Sequence, residues 1–157
     1  MKKLSIAALA LSSAFLSGQA LATDYSITKE KQPSRMLVLS SAGGLQSEYF
    51  SILNMDLRDI PYGDKTGTIT GVSYVSAGFA QSSAETSEIC FFRAYSNNPL
   101  MCEPIEPNST GTVTAFNGQW FQAGVQVSIV HRVEATGSFH YLEPNREESV
   151  TFHYTSD

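Results

Sequence analysis

Cys90 and Cys102 are the only two cysteines in the chain, and an even pair is free to oxidise to a disulfide. A dithiol redox role asks for Cys-x-x-Cys spacing, which is absent. The pair therefore reads as structural, closing the loop from Phe91 to Met101. On the chain-entropy view such a closure contributes roughly 3 kcal/mol. His131, His140 and His153 are the candidate metal ligands, but none has the short-range spacing of a zinc motif. His131 alternates with Val127, Ile129 and Val133, whereas His153 alternates against Phe152 and Tyr154. On a simple sheet the two rings face different ways. No metal and no cofactor are expected. His131 reads as a polar residue near a strand end, its ring reaching solvent or a backbone carbonyl.

Nucleophiles and paired acids fare no better. Ser40-Ser41-Ala42-Gly43-Gly44 sets hydroxyls beside a glycine pair, which is ordinary turn chemistry, and no Gly-x-Ser-x-Gly elbow exists. Asp56 and Asp59 flank Arg58, and Glu147-Glu148 follow Arg146. Paired carboxylates act on glycosides only at a defined separation across a cleft. These read as exposed loop acids. No calcium-type Asp-x-Asp-x-Asp loop appears. With no set of acid, base and nucleophile, no catalytic residue is assigned and the chain is expected not to be an enzyme.

Aromatic residues near turns offer a different chemistry, adhesion to a protein or a glycan. Phe91 and Tyr95 lie in the cysteine loop, and Trp120 and Phe121 follow the Asn117-Gly118 turn. These four are the candidate partner-binding residues. For Trp120 the favoured alternative is a core position at the start of the strand containing Val125. In the segment around the first cysteine, Cys90 and Phe92 share one face while Ile89 and Phe91 share the other. Both faces are partly apolar, as in a strand covered on two sides or one that meets a partner. Asn108-Ser109-Thr110 matches a glycosylation sequon, though the leader described below looks bacterial and no glycan is expected there.

The elements that must position these residues are strands. No apolar stripe recurs at helical spacing over three turns. Short runs of Val, Ile, Thr, Phe and Tyr recur instead, cut by Gly, Asn, Pro and Ser. Tyr49 to Leu57 alternates, with Tyr49, Ser51, Leu53, Met55 and Leu57 on one face. Val125 to Val133 and Val150 to Thr155 alternate in the same way. Further strands are expected over 36–40, 66–76, 87–95, 111–116 and 138–142, with 25–28 as an edge. Gly71 breaks the alternation of the longest run and predicts a bulge. Pro61, Pro99, Pro104, Pro107 and Pro144 are all expected outside strand interiors. The stretches 77–86 and 103–109 read as the least structured, and they and the cysteine loop are where function is sought. The expected fold is all-β, an antiparallel sandwich or barrel of about eight short strands with one disulfide.

Compartment and charge narrow the function. Lys2 and Lys3, the apolar run Leu4 to Leu16, and Ala20-Leu21-Ala22 form a signal-peptide pattern, predicting cleavage before Thr23, with a cut after Ala20 as the alternative. Removing residues 1–22 from 157 leaves 135, one domain's worth, and loss of two lysines takes the net charge from −5 to −7. Nucleic acid and anionic membrane surfaces need a positive patch, so neither is an expected partner. No second apolar stretch reaches spanning length, so no stable membrane insertion is expected. The protein is expected in the periplasm, or else secreted.

Thr66-Gly67-Thr68-Ile69-Thr70-Gly71-Val72-Ser73-Tyr74, the Ile89-Cys90 and Cys102-Glu103 pairs, Gly111-Thr112-Val113-Thr114-Ala115-Phe116-Asn117-Gly118 and the terminal Val150-Thr151-Phe152-His153-Tyr154 follow one another in a familiar order. That order resembles FlhE, a family of periplasmic flagellar accessory proteins of enteric bacteria. The resemblance covers the C-terminal two-thirds of the mature chain, and the cysteine loop is longer here. It implies a compact β domain in the periplasm, without enzyme activity, that assists flagellar export or assembly. It brings no catalytic residues. Two classes of binding function stand side by side: an accessory or chaperone-like factor with a protein partner, flagellar components foremost, and a secreted glycan- or receptor-binding module such as an adhesin or a toxin B-type subunit.

Overall fold

A computed structural model describes residues 22–79 and 84–156. Apart from Ala22, the expected signal peptide lies outside the described residues, as does part of the stretch 77–86. Eleven strands follow one another: β1 (Asp24–Lys31), β2 (Met36–Leu39), β3 (Gly43–Ser51), β4 (Gly67–Val75), β5 (Glu85–Phe92), β6 (Met101–Ile105), β7 (Thr110–Val113), β8 (Trp120–Phe121), β9 (Gln126–Val133), β10 (His140–Leu142) and β11 (Glu148–Ser156). They form two antiparallel sheets. The first runs β1-β11-β4-β7, with β8 also on β4; the second runs β10-β2-β3-β9-β5-β6. Among the described residues the only helical pieces are 3-10 turns at Asn54–Leu57 and Tyr62–Asp64.

The inner faces carry the alternation read from the sequence. Val150, Phe152 and Tyr154 of β11 meet Ile89 and Phe91 of β5 and Val127 and Ile129 of β9 in one buried cluster. Phe121 stacks on Tyr154 with ring centroids 3.8 Å apart, closing that core from β8. A second, smaller cluster joins Met36, Val38, Phe79, Val133 and Leu142 at one end. Burial at roughly 25 cal/mol per Å² of apolar surface is the main force holding the sheets together. The disulfide Cys90–Cys102 links β5 to β6 at directly opposed positions.

The register of β11 on β4 slips between His153 and Tyr154, so Thr70 is the extra residue between Ile69 and Gly71. This is the bulge that Gly71 predicts. Three expectations fail. The stretch 103–109, read as among the least structured, begins inside β6. The Tyr49–Leu57 run is not one strand: β3 stops at Ser51, and Asp56 accepts a hydrogen bond from the Leu53 amide at 2.7 Å while gripping Lys29 at 2.8 Å, turning the chain into a 3-10 turn. Pro104 lies within β6, paired opposite Glu88. The strand tolerates it because β6 is an edge, where a missing N–H on the outer side costs no ladder bond. The expected strand count of about eight omitted β6 and the two-residue β8.

Candidate functional site

The outer face of the second sheet is unusually apolar at its β10-β2-β3 end. Met36 and Val38 point inward, fully buried, so Leu37 and Leu39 of the same strand must point out. Tyr141 of β10 sits opposite Leu37, and Leu45 of β3 is 60% exposed next to them. Phe139 packs edge-on against Tyr141 at 5.9 Å, and Arg35 lies 4.2 Å over the Tyr141 ring. A groove of about 750 Å³ runs along this face, lined by Leu37, Leu39 and Leu45 and rimmed by Arg132 and Glu134. Arg132 is neutralised by an ion pair to Glu88. Several adjoining exposed apolar side chains of this kind mark an interaction surface. Among the described residues β10 pairs with β2 alone, which leaves its outer edge open there. Two of the other edge strands carry guards: β6 has Pro104, and β1 has Lys29 and Lys31, which reach Asp56 and Glu48.

Under this face lies a buried ionic cluster. His131 Nδ1 is 2.8 Å from Glu85 Oε1 and Nε2 is 2.7 Å from Glu148 Oε1. Ser87 Oγ is also 2.8 Å from Nδ1. Desolvation alone would lower the imidazole pKa, but the hydrogen bonds and charges of Glu148 and Glu85 outweigh it and push it up to about 9. The two carboxylates also accept main-chain N–H groups that no strand satisfies. Ala77 donates to Glu148 at 3.0 Å and Phe79 to Glu85 at 2.9 Å. Arg146 donates to the Ser76 and Ser109 carbonyls, and Asn145 accepts from Gly78. The cluster thus pins the segment 76–79 leaving β4, which places Phe79 edge-on against His131 at 5.3 Å. With its three ionisable side chains at most 6% exposed, it is a positioning device for that end of the sandwich.

The histidines are therefore not where the sequence reading put them in every respect. His131 and His153 do face different ways, but His131 does not reach solvent or a carbonyl; it is buried between two acids. Glu148, read as an exposed loop acid, is fully buried. His140 sits on the edge strand with Nδ1 3.2 Å from the Ser138 carbonyl. His153 meets Ser73 Oγ at 2.9 Å on the outer face of the first sheet, and Ser73 also meets Thr112 Oγ1 at 2.9 Å. Among the described residues no carboxylate backs this imidazole, so the pair lacks the orienting acid of a triad. One cluster of ligand-type atoms occurs among the described residues, Glu88 with Cys90 and Cys102, and its sulfurs are tied in the disulfide.

The four candidate aromatics separate by parity. Phe91 and Phe121 are fully buried in the core and present no surface. Trp120 is 50% exposed, against the core reading, because β8 turns Phe121 inward and its neighbour outward. Tyr95 is 83% exposed. Phe92 is covered on the outer face by Tyr49, with centroids 5.7 Å apart, so β5 is apolar on both faces because both are covered.

These features define a class: a two-sheet antiparallel β-sandwich with one cross-strand disulfide and an apolar outer face. No family model matches the chain, and no curated protein matches it. Among solved structures it is similar to one described as "Crystal Structure of FLHE". The identity is 16%, the likeness covers 83% of this chain and 96% of that one, and the TM-score is 0.56. The chain shares the FlhE fold, as the order of its strand motifs and cysteines implies.

Proposed function

We propose that this protein is an exported, periplasmic accessory factor that acts by binding a flagellar protein during export or assembly, not by catalysis. The observation that carries the reading is the FlhE fold over 83% of this chain and 96% of that one, and the signal-peptide pattern expected from the sequence agrees with it. The proposed occupant of the apolar face is an extended, apolar segment of the client. It lies along Leu37, Leu39 and Leu45 and adds a strand to the open edge of β10, where Tyr141 and Phe139 stand beside free main-chain groups. Main-chain pairing supplies affinity for any extended chain, and the leucines select for apolar side chains. The function as a chaperone-like shield follows: a client crossing the periplasm unfolded has just such a segment to hide.

The test is deletion of the gene in its flagellated host, with complementation by the wild-type chain and by Leu45→Asp. Loss of motility or surface spreading, restored by the wild type and not by an equally abundant Leu45→Asp protein, supports the reading. Normal motility and flagellation in the deletion strain overturns it.

A further inference from the structure

Apart from the leucine face, a recess of about 370 Å³ is lined by Arg93, Ala94, Gln119, Trp120 and Gln122. Its polar side chains are idle. Arg35 stacks on Tyr141, Arg58 and Arg132 hold Asp59 and Glu88, and Arg146 holds two carbonyls. Arg93 alone of the five arginines has neither an acid, a carbonyl nor a ring among the described residues. The side-chain amides of Gln119 and Gln122, both half-buried, likewise make no hydrogen bond there. Three unemployed planar polar groups thus surround a half-exposed indole.

The backbone is strained next to the recess. Tyr95, directly after Ala94, has φ 61°, a left-handed conformation that costs energy in a bulky residue. The strain serves no core, since the ring is exposed. It lays the ring over Gly124, whose φ of +89° and missing Cβ make room: a Cβ there would come within 3.0 Å of the ring. Strain of this kind gathers at ligand sites.

We infer that the Trp120–Arg93 recess binds a carboxylate-bearing sugar. The indole offers an apolar plate for the C–H face of a pyranose. Gln119 and Gln122 each supply an acceptor and donors for ring hydroxyls. The Arg93 fork takes the carboxylate through two parallel hydrogen bonds. In a chain of net charge −5, a free arginine is what lets an anionic ligand bind at all. This site is separate from the leucine face and does not depend on the flagellar reading.

The chain's single tryptophan is Trp120, so its fluorescence reports the site directly. The purified mature protein is titrated with D-glucuronic acid and N-acetylneuraminic acid, with D-glucose as the neutral ring and acetate as the carboxylate without one. A saturable change with either acid sugar, about tenfold or more weaker with glucose, supports the site and tells a uronate from a sialic acid source. Arg93→Gln, with an unchanged circular dichroism spectrum, is expected to abolish that preference. Absence of a saturable response to both acid sugars, an equal response to glucose, an equal response to acetate, or an undiminished preference in Arg93→Gln each overturns the inference.

Discussion

Raising the pH should loosen this domain, and the cause is His131. In the folded chain the imidazole holds its proton up to about pH 9, against 6.5 in an unfolded chain. Between those values the folded state binds one proton more than the unfolded state, so stability falls as pH rises. The contribution is complete below about pH 6.5 and gone above about pH 9. A shift of that size corresponds to about 3 kcal/mol at about 1.4 kcal/mol per unit, a large share of the 5–15 kcal/mol typical of a domain. Loss of the proton leaves Glu85 and Glu148 facing each other across a neutral ring in a buried site, and the 76–79 segment they hold should release first. Urea unfolding followed by Trp120 fluorescence at several pH values from 6 to about 9.5 measures this. There are no free cysteines among the described residues to reshuffle the disulfide in that range. Tyr154, pushed up to about 12 by burial and then by Tyr25 and Asp64, does not interfere. In His131→Gln the slope should vanish and the starting stability should be lower. A flat profile in the wild type from pH 6.5 to 9 would refute the reasoning.

Other consequences follow from single side chains. Reduction of Cys90–Cys102, or Cys90→Ser with Cys102→Ser, should cost roughly 3 kcal/mol in denaturant unfolding. Phe121→Ala should cost about 3–5 kcal/mol, because the ring fills the core against Tyr154, while Trp120→Ala next to it should stay within about 0.5 kcal/mol. Gly43→Ala should destabilise the β2–β3 turn by more than about 1 kcal/mol, since φ is +73° and a Cβ would sit 2.1 Å from the Val133 carbonyl oxygen; a thermal melt reads it. Leu45→Asp should leave the unfolding midpoint nearly unchanged, as expected for a surface position.

The sandwich was legible because period-two alternation survives wherever one face is buried. Val127, Ile129 and His131, or Val150, Phe152 and Tyr154, announce their strands in this way. Where side-chain hydrogen bonds overrule hydrophobic period, the alternation misleads, as at Asp56 in the Tyr49–Leu57 run. The apolar face has a sequence signal: Met36-Leu37-Val38-Leu39 is apolar at every position, which a strand with one wet face does not need. The buried cluster also had a signal. Glu85 keeps parity with Ile89 and Phe91, and Glu148 with Val150 and Phe152, so both acids were bound to point inward. That they would meet His131 required the strand order β9-β5 and the packing of the two sheets, which no local pattern carries. Trp120 and Phe121 show the limit of local reading most plainly. In a two-residue strand, which ring is core and which is surface depends on pairing with Gly67 and Thr68.

The central claim is that the leucine face holds a flagellar client in the periplasm. A photocrosslinking amino acid at Leu45 in flagellated cells, with the same group at Ser26 on the other sheet as control, tests it most directly. The account predicts a Leu45-specific adduct to an external flagellar component, identified by mass spectrometry from the periplasmic fraction. Absence of a flagellar adduct at Leu45, or equal adducts at both positions, would contradict it.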